Sequence, residues 1–229
     1  MHYVRHGSVP HQRHTQHRAP DGALYAEELF GVEGFVGRSS LLYHLVPPTR
    51  THRIEAGPLV TPERADERLH HHRLIKTAAV PPGGDIVGGR IALFFNRDVV
   101  LGVVRPAQAM AAGHFYRNGE GDELLFVHEG SGRLDSVFGT LDYGPGDYLV
   151  IPIGTTWRLE PTPGVEQRLL WLETPGEIEP PRRYRNEYGQ LLEHAPYYHR
   201  DIHPPAELHT HRDRGDHVVK VRVSGGHQT

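Results

Sequence analysis

Apolar residues along this chain come in short runs broken by glycine, proline and brief polar stretches, a rhythm that predicts β-strands joined by tight turns. An early strand is expected at residues 41–46, closed by Pro47-Pro48. Residues 91–95 and 99–104 flank Asn96-Arg97-Asp98 and predict a hairpin, while Pro81-Pro82-Gly83-Gly84 reads as a turn. The core strands follow at 123–128, 132–138, 147–151 and 167–173, with Gly130-Ser131-Gly132 as the turn between the first two. In the last of them Leu169-Leu170-Trp171-Leu172 leaves little polar alternation, which predicts burial on both faces. One segment has a helical candidate, residues 62–76, with Leu69 and Ile75 apolar and the charges of Glu63, Arg64, Asp66, Glu67 and Arg68 turned to water. The sum is an all-β chain, two sheets closed into a jelly roll.

Composition sharpens that picture. A chain of 229 residues with 37% hydrophobic content can bury a sizeable core. A formal net charge of −3 gives no reason to expect nucleic acid or a membrane surface as partner. The absence of cysteine excludes disulfides, thiolate metal sites and cysteine nucleophiles, and suits a reducing compartment. No apolar run approaches the roughly 20 residues of a membrane helix, and residues 1–6 have no apolar leader core, so a cytoplasmic location is expected. Histidine is abundant, 19 in all, but many lie in polar segments such as residues 10–20, where solvated loop side chains are the plain reading. The run His70-His71-His72 gets the same reading, because adjacent side chains point in different directions.

Two motifs lie between Gly113 and Glu160. The first contains His114, Tyr116 and Glu123 and stops at Gly130; the second runs from Gly146 through Pro152 and Gly154 to Trp157. Together they resemble the two motifs of the cupin superfamily, G-x5-H-x-H-x3,4-E-x6-G and G-x5-P-x-G-x2-H, and so imply a cupin-like jelly roll, the double-stranded β-helix. In that family the histidines and the glutamate hold a metal. Here Gln108 stands at the opening glycine, Tyr116 at the second histidine and Trp157 at the last, and the gap from Tyr116 to Glu123 is longer than the pattern. Only His114 and Glu123 remain as ligands, too few for a tight divalent site, and a barrel that has lost its metal is expected.

A second resemblance joins the two ends of the chain. Leu24-Tyr25-Ala26-Glu27-Glu28-Leu29 with Arg38-Ser39 and Leu42-Tyr43, and the later segment from Tyr184 to Tyr197 with Arg200-Asp201-Ile202, resemble the homogentisate 1,2-dioxygenase family. What the resemblance implies is a two-cupin, non-haem Fe(II) enzyme that opens the homogentisate ring with O2 to maleylacetoacetate, in tyrosine and phenylalanine catabolism, assembled as a hexamer. In that family the iron ligands and catalytic histidine lie in the C-terminal cupin, and no residue here matches them. The expected division is an N-terminal arm with leading strands at 1–60, a degenerate cupin barrel at 61–176, and at 177–229 a linker followed by the start of a second, truncated cupin. The strand at 218–223 is expected to lack a later strand to pair with. No catalytic, cofactor-binding or metal residue is expected, and the implied partner is the C-terminal catalytic cupin of the same protein.

Two other classes remain open at this point. A free-standing metal-dependent isomerase or dioxygenase could use His114 and Glu123 with His128 or Tyr116. Separately, His209 and His211 would face one way on a strand and could bind a metal with Glu207, the alternative being a solvated polar connection between domains. A metal-free binding module could instead use Trp157, Tyr116, Phe126 and Tyr148 as aromatic walls, the alternative being that they are plain core.

Overall fold

The computed structural model describes residues 4–12, 15–48, 50–59, 61–66, 71–212 and 215–229. The chain divides into two units, Met1–Ile54 with Glu179–Gly215, and Glu55–Ile178 with Asp216–Thr229. In the first, β1 (Ala26–Glu33) and β2 (Val36–His44) form an antiparallel hairpin running from Ala26 opposite His44 to Glu33 opposite Val36. The strand expected at 41–46 is the end of β2, which starts earlier than its apolar residues suggest because pairing with β1 extends through Ser40 and Ser39 and, past an irregularity, to Val36. Within this unit Arg185 donates to both carboxylate oxygens of Glu179, at 2.9 and 2.6 Å, and Arg38 pairs with the same carboxylate. These bonds hold the Glu179 pKa below the ordinary range, Arg185 first and Arg38 after it, against the opposing effect of burial. The two segments that carry the dioxygenase resemblance thus meet in one unit.

The second unit is a β-barrel-like sandwich. Its strands are β3 (Ala56–Leu59), β4 (Arg90–Phe95), β5 (Val100–Val104), β6 (His114–Asn118), β7 (Asp122–Glu129), β8 (Gly132–Ser136), β9 (Gly139–Tyr143), β10 (Tyr148–Ile151), β11 (Thr156–Pro161), β12 (Arg168–Thr174), β13 (Val218–Val223) and β14 (Gly226–Gln228). One sheet has the order β10-β7-β12-β5-β4 and the other β3-β14-β13-β6-β11-β8-β9. The expected hairpin is β4 and β5, and the four expected core strands are β7, β8, β10 and β12. The helix expected at 62–76 does not form at 61–66 or 71–76, and residues 67–70 lie outside the described ones. A single 3-10 turn at Thr77–Ala79 follows instead. With apolar Leu69 and Ile75 set among charges, the segment lacks a continuous stripe to bury, and short helices depend on such burial.

The strand expected to lack a partner has two. β13 runs parallel to β6, Val218 opposite His114 through Arg222 opposite Asn118, and antiparallel to β14, which pairs with β3. Residues 218–228 are therefore part of this barrel's own sheet, not the opening of a second cupin.

Inward side chains from both sheets fill the space between them: Leu125, Val127, Leu149, Ile151 and Leu169 from one side, Tyr116, Leu134, Trp157 and Leu159 from the other, all nearly inaccessible. β12 alternates, with Leu169, Trp171 and Glu173 buried and Leu170 and Leu172 only half-buried. Burial on both faces is therefore incomplete, and the apolar run has a different cause. On the outer side two registered rows cross all five strands, Tyr148-Phe126-Leu170-Val103-Ile91 and Val150-Leu124-Leu172-Leu101-Phe94.

Gly130 closes β7 with φ +106°, a conformation that side chains resist. An added Cβ would lie 2.2 Å from Gln167 Oε1, the buried amide that donates to the carbonyls of Ser131 and Val165. Gly130→Ala should therefore cost at least about 2 kcal/mol, from backbone strain plus the clash. Thermal unfolding checks this, and an unchanged midpoint would refute it.

Candidate functional site

The place to look in such a barrel is where the motif residues converge. Tyr116 and Asn118 alternate inward on β6 and are buried, whereas His114, at the strand's first position, is exposed. This moves the first motif by two residues. Tyr116 and Asn118 take the two histidine positions, and the four residues between Asn118 and Glu123 restore the ordinary spacing to the glutamate. Counted from Asn118 the gap to Glu123 is the ordinary one, and His114 stands outside the inward-facing set.

The four inward positions are thus Tyr116, Asn118, Glu123 and Trp157, each no more than 2% exposed. Tyr116 and Trp157 lie opposite each other on β6 and β11 and pack edge to face, ring centroids 5.3 Å apart. Asn118 Nδ2 donates to Glu123 Oε1 at 3.1 Å and to Glu173 Oε2 at 2.9 Å, while its Oδ1 accepts from the backbone N–H groups of Glu120 and Gly121. The Tyr116 hydroxyl donates to Glu123 Oε1 at 3.3 Å. Burial raises the phenol's pKa, against the pull of Arg90, so it remains a donor.

Arg90, the first residue of β4, completes the cluster. Its Nη1 meets Glu123 Oε1 at 2.5 Å, and its guanidinium carbon lies 5.1 Å from the Tyr116 ring centroid and 4.9 Å from that of Trp171. Burial works against its charge, but Glu123 foremost among its neighbours more than offsets this, and the pKa is raised. Glu173 has Arg222 Nε at 3.8 Å, and burial pushes its carboxyl up despite that cation. Asp122 braces the rim, accepting from the N–H of Ile153 at 2.8 Å and of Ile178 at 2.9 Å.

The other candidates are elsewhere. His128 is exposed on the outer side of β7 against the Phe126 ring, and Phe126 itself packs there on the exposed Tyr148. Of the four proposed aromatic walls, only Tyr116 and Trp157 face the interior, where both are buried in the core. His209 and His211 belong to the other unit, in a segment without strand structure. The shared orientation expected of them therefore does not arise, and His209 simply approaches Glu207 at 3.6 Å. Among the described residues no group of three or more His, Cys, Asp or Glu side chains is placed to hold a metal.

The metal that a cupin motif implies can be tested against these donors. A phenol, an amide, an indole and one carboxylate already paired to a guanidinium do not suit a divalent ion, which needs several imidazole, carboxylate or thiolate ligands. The residues present do not fit it.

Sequence reasoning missed Arg90, Asn118, Glu173 and His227. Asn118 was legible through the motif's own spacing; Arg90, a lone cation opening an apolar strand, gave a fainter signal. His227 lies on β14 with its ring 6.1 Å from Tyr116. Burial, then Lys220, Arg222 and Arg90, lower its pKa to about 4, with Glu123 opposing. Unfolded histidine titrates near about 6.5, so between those values the unfolded chain takes up the proton first, and stability falls as pH drops from about 6.5 to 4. The loss should be about 1–3 kcal/mol, partly offset near its acid end by the raised Glu173. His227→Gln should flatten that slope in a pH series of thermal midpoints; a slope unchanged by the substitution would remove His227 as its cause.

The sheet order and the paired motifs define a cupin-fold domain, all-β with almost no helix. No protein-family model matches the chain. In sequence it is 40% identical, over 99% of its length, to a "putative dioxygenase" of Saccharolobus solfataricus, of which it covers 57%. It is 28% identical, over 67% of its length, to the homogentisate 1,2-dioxygenase of Rhodopseudomonas palustris, of which it covers 38%. The chain thus spans about half or less of the curated relatives it matches. Among solved structures a cupin protein of Bacteroides fragilis superposes with a TM-score of 0.38 at 13% identity, covering 50% of this chain and 94% of that one. The chain is a cupin-fold domain related in sequence to proteins named as dioxygenases. Among the described residues no helix is long and apolar enough to cross a membrane.

Proposed function

We propose that this chain is the scaffold part of a larger, cytoplasmic, ring-cleaving dioxygenase acting on homogentisate or a closely related hydroxylated aromatic. In this reading Fe(II) and the catalytic residues belong to a C-terminal cupin of the same protein, and the whole assembles as a homo-oligomer, a hexamer if it follows the homogentisate enzymes. The observation that carries it is the filled barrel, whose four motif positions hold Tyr116, Asn118, Glu123 and Trp157, all buried. With Tyr116, Asn118 and Trp157 turned inward, three of the four places that would hold a metal carry groups that do not suit one. Similarity over nearly the whole chain to a longer protein named as a dioxygenase supports the same reading. So does the gathering of the homogentisate-like segments around Glu179 in the other unit.

The test is oxygen consumption by the purified chain, loaded anaerobically with Fe(II) and given homogentisate. We expect neither oxygen uptake nor maleylacetoacetate absorbance. Substrate-dependent uptake with product formation would overturn the scaffold reading.

A further inference from the structure

A buried ion pair is a poor device for stability alone, because removing both charges from water costs as much as their attraction returns. The Arg90–Glu123 pair therefore needs another explanation, and its position supplies one. Glu123 occupies the glutamate place of the first motif, and Asn118 and Tyr116 at the histidine places both donate to its Oε1. The cation beside that oxygen is Arg90, its guanidinium between the rings of Tyr116 and Trp171. Aromatic faces suit a delocalised, weakly hydrated guanidinium and give a divalent ion nothing to coordinate. We propose that the Arg90 guanidinium is the resident cation of this barrel, standing where a cupin of this motif holds its metal, with Glu123 as its counter-charge and Tyr116 and Trp171 as its cage. This inference stands on the barrel geometry alone, whatever reaction the whole protein serves.

The exchange is internally consistent. Tyr116 gives the guanidinium a ring face, Asn118 donates to its counter-charge Glu123, and Trp157 packs on Tyr116. Imidazoles give way to a phenol ring face at Tyr116 and to an amide donor at Asn118, while the acidic position is kept. The charge is delivered from β4 rather than from solvent, so the site is occupied as soon as the sheets close.

Chemical rescue tests it. Arg90→Ala in the full chain should lower the thermal midpoint by roughly 10 °C. Millimolar methylguanidinium should restore at least half of that loss by filling the vacated cage, and methylammonium or sodium chloride at equal ionic strength should not. No recovery, or equal recovery with methylammonium, would overturn the proposal. A second measurement fixes the position. Tyr116→His/Asn118→His/Trp157→His with Arg90 retained should show no Co(II) absorption bands, and adding Arg90→Ala should produce them. Co(II) binding that is indifferent to Arg90 would place the metal locus elsewhere and overturn it too. Should Arg90→Ala not fold, Arg90→Lys is compared with Arg90→Met; the lysine variant should keep more stability, and the reverse order refutes the cation role.

Discussion

Glu123→Leu is expected to destabilise the barrel by about 3–5 kcal/mol, the range for breaking a buried pair and leaving its partner charged. The substitution leaves the Arg90 guanidinium, whose side chain is only 8% exposed, without a counter-ion beside it. It also takes the acceptor from the Tyr116 hydroxyl and one of two acceptors from Asn118 Nδ2. Glu173 cannot take over, since its carboxylate is already engaged by Asn118 and Arg222. The informative comparison is Glu123→Leu/Arg90→Met. Replacing both charges with apolar groups of similar volume should recover most of the loss, so the two single effects should sum to well above the double. Urea is the right denaturant, because guanidinium would compete for the site. Additive effects would show that the two side chains do not act as a pair.

Trp157→Ala should cost about as much, 3–5 kcal/mol, for a different reason, the cavity left by a large aromatic. Trp157 is wholly inaccessible, sits opposite both Tyr116 and Ser136 in the sheet, and packs edge to face on Tyr116. The barrel closes around it from both sheets, so little collapse is available to relieve the void. Its indole Nε1 has no hydrogen-bond partner, which makes Trp157→Phe a clean control. That change removes less volume and no hydrogen bond, and should cost about 1–2 kcal/mol, well below the alanine variant. A phenylalanine variant as damaged as the alanine one would show that something other than packing depends on the indole.

How far the sequence discloses this follows from which signals are local. β7, β8, β10 and β12 were legible because each is a short apolar run bounded by turn residues, a property of adjacent positions. The β4–β5 hairpin was legible for the same reason. β9 and β11 were not, since Gly139-Thr140-Leu141-Asp142-Tyr143 and the polar-rich stretch at 156–161 become strands only through their neighbours in the sheet. The partners of β13 depend on a parallel pairing with β6 across about a hundred residues, which no local pattern encodes. Within the site the glutamate was found, but Tyr116 was placed one motif position too late. Reading inward from Glu123, where the spacing is tight, would have picked out Asn118. Arg90 could not be found this way, because its role is set by a contact with Glu123 that only the closed barrel makes.

The most direct measurement of whether this barrel is a metal-free scaffold is metal content after anaerobic dialysis against Fe(II). We expect less than a tenth of an equivalent of iron per chain, and the same for Glu123→Gln. About one equivalent on the unmodified chain, lost in Glu123→Gln, would contradict the scaffold reading and make Glu123 a ligand.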